Sequence, residues 1–229
     1  ILLKIRSNGV VHGPDGKDIA CRESAVYLGG LLSVDGRPRA ELTRRLGEAS
    51  GAFKKLCVVW NHANLSKYHK QRVLEACVFS KLMYGLESCM LLQADRNRLD
   101  GFQARCLRQI YKICLACVSR VSNAEVRERA EARPLAAVIL ERQLKLYGNL
   151  AQKSTTSLPR AMVFESGPMN TLLPRRWNVP RSRGRPRLQW ATYLRAEALS
   201  VARDDPDTLQ TLLQNPSAWR EAVAQHCAM

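Results

Sequence analysis

Apolar positions in this chain follow two different spacings, and the change from one to the other falls near residue 37. Up to residue 36 they come in short β-prone runs: Leu2-Leu3-Lys4-Ile5, Gly9-Val10-Val11, Asp18-Ile19-Ala20-Cys21 and Ala25-Val26-Tyr27-Leu28-Gly29-Gly30, with Gly13-Pro14-Asp15-Gly16 as turn text. These predict a hairpin or small sheet, too small to be stable alone, which has to lean on the helices or on upstream sequence. From Arg37 onward Leu42, Leu46, Ala49, Phe53 and Leu56 follow at steps of four, three, four and three, the mark of a helix with one apolar stripe. Its outer face carries Arg44, Arg45, Lys54 and Lys55, read as solvated.

The stretch from Leu65 to Glu87 predicts the helix around which the rest packs. Ser66 is placed as its N-cap, Lys67 to Lys70 form a polar first turn, and Gly85 suits a left-handed C-cap. Between Val73 and Tyr84 only Glu75, Ser80 and Lys81 are polar, and at about 100° per residue they point in three directions, which predicts burial on most sides.

A third helix is expected from near Asp95, with Leu99, Phe102, Cys106, Leu107 and Ile110 inward and Arg96, Arg98, Arg105, Arg108 and Lys112 outward. Ser122 and Glu125 have the spacing of a capping box, opening a short helix through Val126 and Ala130. Pro134 fits the first position of the next helix, on which Leu135, Ile139, Leu146 and Leu150 repeat along one face. Residues 37–153 thus read as about five helices in a bundle. Prolines 159, 168, 174, 180 and 186 then predict irregular structure over 154–187. A helix with Trp190, Leu194 and Val201 inward follows, and a last one opens at Asn215-Pro216 with Trp219 as its anchor. The predicted fold class is mainly α: a helical bundle with a small N-terminal β-hairpin remnant and an irregular Arg/Pro-rich loop before C-terminal helices. Its expected segments are 1–36, 37–153, 154–187 and 188–229.

Charge adds a partner to this picture. With 36 Lys and Arg against 20 Asp and Glu in 229 residues, the net charge is +16, which favours a polyanion. Nucleic acid stands before a membrane, because no apolar run of spanning length interrupts the sequence. The densest stretch holds Arg175, Arg176, Arg181, Arg183, Arg185 and Arg187 with no acidic residue between Thr171 and Trp190, and these six arginines are the expected phosphate ligands. Within it Arg183-Gly184-Arg185-Pro186 has the core pattern of an AT-hook, whose arginines lie in a narrow minor groove. A helical scaffold that binds protein, its charge serving solubility, is a further reading.

No catalytic constellation emerges. The four histidines lack metal-ligand spacing, and Asp204-Asp205 sits in polar text read as a solvated helix end. The eight cysteines, mostly within apolar helical text, read as reduced core thiols of an intracellular protein; Cys114 and Cys117 lack the second pair that a zinc site needs. Phe53, Phe102, Trp190 and Trp219 sit at helical core spacing and are assigned to the core.

In order along the chain, Tyr27-Leu28-Gly29 with Asp35-Gly36, Leu82-Met83-Tyr84-Gly85-Leu86-Glu87, Leu99-x-x-Phe102-x-x-x-Cys106-Leu107-Arg108-x-Ile110 and Val121-Ser122-Asn123-x-Glu125-Val126 form a set. Arg142-x-Leu144-x-x-x-Gly148, Arg183-Gly184-Arg185-Pro186-Arg187-x-x-Trp190 and Trp219-Arg220 complete it. This ordered set resembles the C-terminal part of a non-LTR (LINE-type) retrotransposon reverse transcriptase. The resemblance implies that residues 1–36 end the palm, just past the primer-grip hairpin, and that 37–153 form the thumb and its helical extension. It also implies that the catalytic Tyr/Phe-x-Asp-Asp hairpin and the Mg ions it holds lie upstream of Ile1, in keeping with a chain that starts without Met and reads as a piece of something longer. The fragment is then expected to lack polymerase activity and cofactors of its own, and the family's Cys/His knuckle is not matched by His226 and Cys227. Its partner would be a template–primer duplex or target DNA in the nucleus, held through the six arginines, with Lys54, Lys55, Lys67 and Lys70 as further phosphate ligands.

Overall fold

In the computed structural model, residues 10–165, 172–175 and 189–228 are described. The fold is mainly α with one small antiparallel sheet near its start, as the two periodicities predict. The chain forms two compact units, residues 10–86 with 91–122 and residues 87–90 with 123–228. This division cuts through the bundle expected over 37–153, because the segment before Ser122 is folded back onto the first unit by a buried arginine described below.

In the first unit, β1 (Ser24–Tyr27) pairs with β2 (Gly30–Ser33), Ser24 opposite Ser33 and Tyr27 opposite Gly30. The chain reverses at Leu28 and Gly29, with φ of 47° and 78°. Positive φ at both loop positions gives the turn whose twist matches the strands, so the run Ala25–Gly30 contains a turn and is not one strand. The Gly13–Gly16 text also turns, with Gly13 N–H donating to Lys17 O at 2.8 Å and Ile19 N–H to Val11 O at 2.9 Å. Leu2–Ile5 and Gly9 lie outside the described residues.

Helix α1 (Arg39–His62) buries Leu42, Ala49, Phe53 and Trp60, and half-buries Leu46 and Leu56. The predicted outer face is corrected at Arg45, which is only 7% exposed. Its Nε donates to Glu41 Oε1 at 2.6 Å, its Nη2 to Gly29 O at 2.5 Å and its Nη1 to Lys81 O at 3.3 Å. Arg44 joins it, donating to Glu41 Oε1 at 2.8 Å and to the same Gly29 carbonyl at 2.7 Å. Glu41 Oε2 in turn accepts the Leu31 N–H at 3.0 Å, so the outer edge of β2 is fastened to α1.

Helix α2 (Lys67–Leu74) opens as expected, with Ser66 Oγ accepting the His69 N–H at 3.3 Å. A wider π-type turn over Glu75–Phe79 leads into α3 (Ser80–Met83), and Gly85 is left-handed at φ 75°. Leu74, Val78, Phe79, Leu82 and Met83 are buried, but Ala76, Cys77, Ser80, Lys81 and Tyr84 are exposed. Burial on most sides is therefore corrected to burial on one: small or amphipathic residues complete a wet strip that polar residues alone do not mark. The extra residue of the π turn also offsets the stripe by about 100°.

Helix α4 (Gln93–Tyr111) buries Leu99, Phe102, Cys106, Leu107 and Ile110 as predicted, and Asp95 accepts the Leu92 N–H at 3.3 Å at its start. Arg108, expected outward, is buried. Its guanidinium donates to Cys114 O at 2.9 Å and Val121 O at 2.6 Å, pinning the loop around α5 (Ala116–Ser119). Buried backbone carbonyls need donors, and a planar guanidinium reaches two at once.

In the second unit, α6 (Asn123–Arg129) follows Ser122 and buries Val126. On α7 (Leu135–Ala151) the buried face runs Leu135, Ile139, Gln143, Tyr147, Ala151, with Leu144 and Gly148 beside it, while Leu146 and Leu150 lie on its flanks. A strict four-residue step wins because Gln143 is satisfied inside, its Nε2 donating to Cys89 O at 2.8 Å. The stretch expected to be irregular contains α8 (Leu158–Val163), since Pro159 stands in its first turn, where no N–H is missed.

Helices α9 (Trp190–Val201), α10 (Pro206–Gln214) and α11 (Pro216–Ala228) complete this unit. Of these α10 was not anticipated, and Asp205 is its N-cap, accepting from Asp207 N and Thr208 N. Trp219, 1% exposed, donates from Nε1 to Leu144 O at 3.0 Å, and its indole covers Gly148 so closely that a Cβ there would clash with Nε1 and Cδ1 of the ring. Trp190 Nε1 donates to Glu87 O at 3.0 Å, holding residues 87–90 to this unit.

Two stability outcomes follow from these contacts. Burial raises the Glu41 carboxyl, but hydrogen bonds from Arg45, Arg44 and Leu31 N–H outweigh it and hold the group below its ordinary value of 4.5. A depressed carboxylate stabilises the fold above that value and loses its contribution as pH falls through the folded one. Glu41→Gln is expected to cost about 3 kcal/mol at neutral pH and to flatten the acid limb of stability below about pH 4.5, measured by urea unfolding across pH. Gly148→Ala is expected to cost about 1–3 kcal/mol or more by expelling the indole, and to cost almost nothing when Trp219→Ala is already present. Chemical unfolding of the single and double variants reads that non-additivity.

Candidate nucleic-acid interface

Two stretches of the first unit contain no carboxylate, from Ala49 to Leu74 and from Gly101 to Ser122. The first holds Lys54, Lys55, Lys67, Lys70 and Arg72, the second Arg105, Arg108, Lys112 and Arg120. They form the second half of α1, the whole of α2 and the C-terminal half of α4 with the loop after it. The fold lays them side by side: Lys67 Nζ lies 5.6 Å from the Tyr111 ring centroid, and Tyr111 O–H donates to Gln71 Oε1 at 2.9 Å.

The join between α1 and α2 is fixed by Lys70, whose Nζ donates to Trp60 O at 3.3 Å near the end of α1. Burial pushes the Cys57 thiol up despite the nearby Lys70 cation, and burial raises the Cys106 thiol to about 12 despite Arg105. Both thiols are therefore neutral at pH 7 and add no negative charge beneath the nearby cations. Lys54, Lys55 and Lys67 are exposed, and among the described residues no carboxylate pairs with them. Arg72 is the exception in being paired, at 3.5 Å from Glu75. Exposed ammonium groups without a carboxylate partner suit contact with phosphate oxygens.

Of the arginines expected as phosphate ligands, only Arg175 is among the described residues, and it is tied into the second unit. Its Nη1 donates to Ala161 O at 2.6 Å and its N–H to Val163 O at 2.9 Å, closing the chain against α8. Arg176, Arg181, Arg183, Arg185 and Arg187, and with them the AT-hook pattern, lie outside the described residues. The structure thus brings together Lys54, Lys55, Lys67 and Lys70 on one unit and places Arg175 on the other.

Asp204 and Asp205 are exposed, as expected, but the reading as a helix end is corrected at Asp205, which is the N-cap that begins α10. Cys21, Cys77, Cys114 and Cys117 are exposed, which corrects their assignment as core thiols; Cys106 is buried, and Cys57, Cys89 and Cys227 are partly so. Among the described residues no three His, Cys, Asp or Glu side chains gather as metal ligands, and no helix is long and apolar enough to cross a membrane. Tyr68, Arg105 and Lys112 are exposed in the same two stretches and are not among the site residues expected from the sequence. The signal for them was the absence of acidic residues over two long stretches, which local arginine density overshadows.

The positions that carry the family resemblance have structural roles here. Gly29 supplies the carbonyl that receives Arg44 and Arg45, and the Tyr84 ring lies 5.0 Å beneath the Arg45 guanidinium. Glu87 receives Trp190, and Leu144 and Gly148 receive Trp219. No family model, curated protein or solved structure matches the chain.

Proposed function

We propose that this chain holds nucleic acid by its phosphate backbone, as the thumb and C-terminal extension of a reverse transcriptase of the non-LTR retrotransposon kind. The observation that carries the proposal is the pair of carboxylate-free stretches in the first unit, on which Lys54, Lys55 and Lys67 are exposed. The ordered resemblance supports the same reading, and a template–primer duplex or target DNA is the partner it suggests. Arg176, Arg181, Arg183, Arg185 and Arg187 remain proposed phosphate ligands on the strength of the sequence. DNA synthesis itself is assigned to the palm of such an enzyme, not to any residue described here.

Contacts to phosphate carry little base information, which suits a duplex that slides during polymerisation. They also release counterions, so log K should fall linearly with log salt. Fluorescence anisotropy with a blunt duplex is expected to show a steep salt slope that flattens by about 0.9 for each of Lys54→Ala, Lys55→Ala and Lys67→Ala. A salt-independent interaction, or no binding at low salt, would contradict the proposal.

A further inference from the structure

The carboxylate-free stretch from Ala49 to Leu74 carries one feature that phosphate binding does not use. Tyr68, in the first turn of α2, is 67% exposed, although a tyrosine ring is among the larger apolar surfaces a side chain offers. It stands in the sequence Lys67-Tyr68-His69-Lys70, with a cation on either side. Both cations are held in place: Lys67 over the Tyr111 ring at 5.6 Å, and Lys70 on Trp60 O at 3.3 Å. His69 meets the Tyr68 ring edge-on, with centroids 5.5 Å apart and planes at 83°. Its Nδ1 lies 2.7 Å from Ser66 Oγ, so the ring edge that supports Tyr68 is itself anchored at the helix cap. Among the described residues, no hydrogen-bond partner is recorded for the Tyr68 hydroxyl.

An exposed aromatic side chain, braced on one edge and flanked by positioned ammonium groups, has the parts of a single-strand contact: a π-face for a base and cations for the phosphates on either side of it. A fully paired duplex offers a base face only at its end, so the phosphate reading alone leaves Tyr68 without a role.

We propose, resting on the phosphate-binding reading above, that the start of α2 takes an unpaired nucleotide, with one base stacked on Tyr68 and its neighbouring phosphates against Lys67 and the exposed cations of α1. The substrate of this face is then a single strand or a duplex with an unpaired end, rather than a blunt duplex alone. Stacking accepts any base, so the site confers preference for unpaired strand without preference for sequence.

The test compares three fluorescent probes by anisotropy with the whole chain: an oligothymidine of about 16 nucleotides, the same length of abasic backbone, and a blunt duplex. The wild-type chain is expected to bind oligothymidine about 5-fold or more tighter than the abasic strand, from about 1–3 kcal/mol per stacked base. Tyr68→Ala should remove that preference while leaving abasic and duplex binding unchanged, and Tyr68→Phe should keep it. Lys67→Ala should weaken all three probes alike. Circular dichroism confirms that each variant is folded, which the exposure of Tyr68 favours. Equal binding of oligothymidine by wild type and Tyr68→Ala would overturn the stacking site and leave phosphate binding standing. Failure of the wild-type chain to bind any probe at low salt would overturn both.

Discussion

The first unit depends on a carboxylate that is almost fully buried. A two-stranded hairpin has too little surface to hold its own shape in water. Here Glu41 takes the N–H that the edge of β2 leaves outward, at 3.0 Å, and the two arginines that neutralise it both donate to the carbonyl at the hairpin turn. Arg45 then continues to Lys81 O at the far side. Hairpin, α1 and α3 are thereby tied through one ionic node. Removing one member leaves buried charge without compensation, which costs more than the intact node contributes. The node acts at one end of α1, while the exposed lysines stand toward the other, so the α1 helix transmits its position to the basic face.

Cations in this chain divide into two groups with different work. Arg45, Arg108 and Arg160 are buried, and their planar guanidinium groups donate to backbone carbonyls at turns and helix ends. Lys54, Lys55 and Lys67 are exposed in a carboxylate-free stretch, and the proposed function uses their flexible stems and hydrated ammonium groups for contact with a partner that moves. The net charge of +16 therefore overstates the charge free for a partner, since part of it is internal structure.

Helix positions with a clear stripe were legible in the sequence: α1, α4 and the Ser66 and Gly85 caps follow from periodicity and terminal residues alone. What was not legible has specific causes. Arg45 and Arg108 were read outward because isolated charges favour water, and only the tertiary fold supplies the carbonyls that make burial favourable. Helix α10 was hidden because Asp204-Asp205-Pro206 was read as an ending, whereas Asp at the cap with Pro next to it also begins a helix. The face of α7 was misjudged because only its leucines and Ile139 were followed, whereas Gln143 lies inside with a partner at Cys89. The four lysines were chosen from charge and the structure places them on the first unit, whereas the exposed Tyr68 was passed over because aromatic residues were weighed only where they repeat at core spacing.

Amine-reactive footprinting of the whole chain, with and without a bound nucleic acid, tests the central claim most directly. Protection of Lys54, Lys55, Lys67 and Lys112, with Lys17, Lys81 and Lys153 still reactive, is the outcome this structure predicts. Unchanged reactivity of Lys54, Lys55 and Lys67 in a complex that is demonstrably formed would contradict it, and would move the contact away from the face built by α1, α2 and α4.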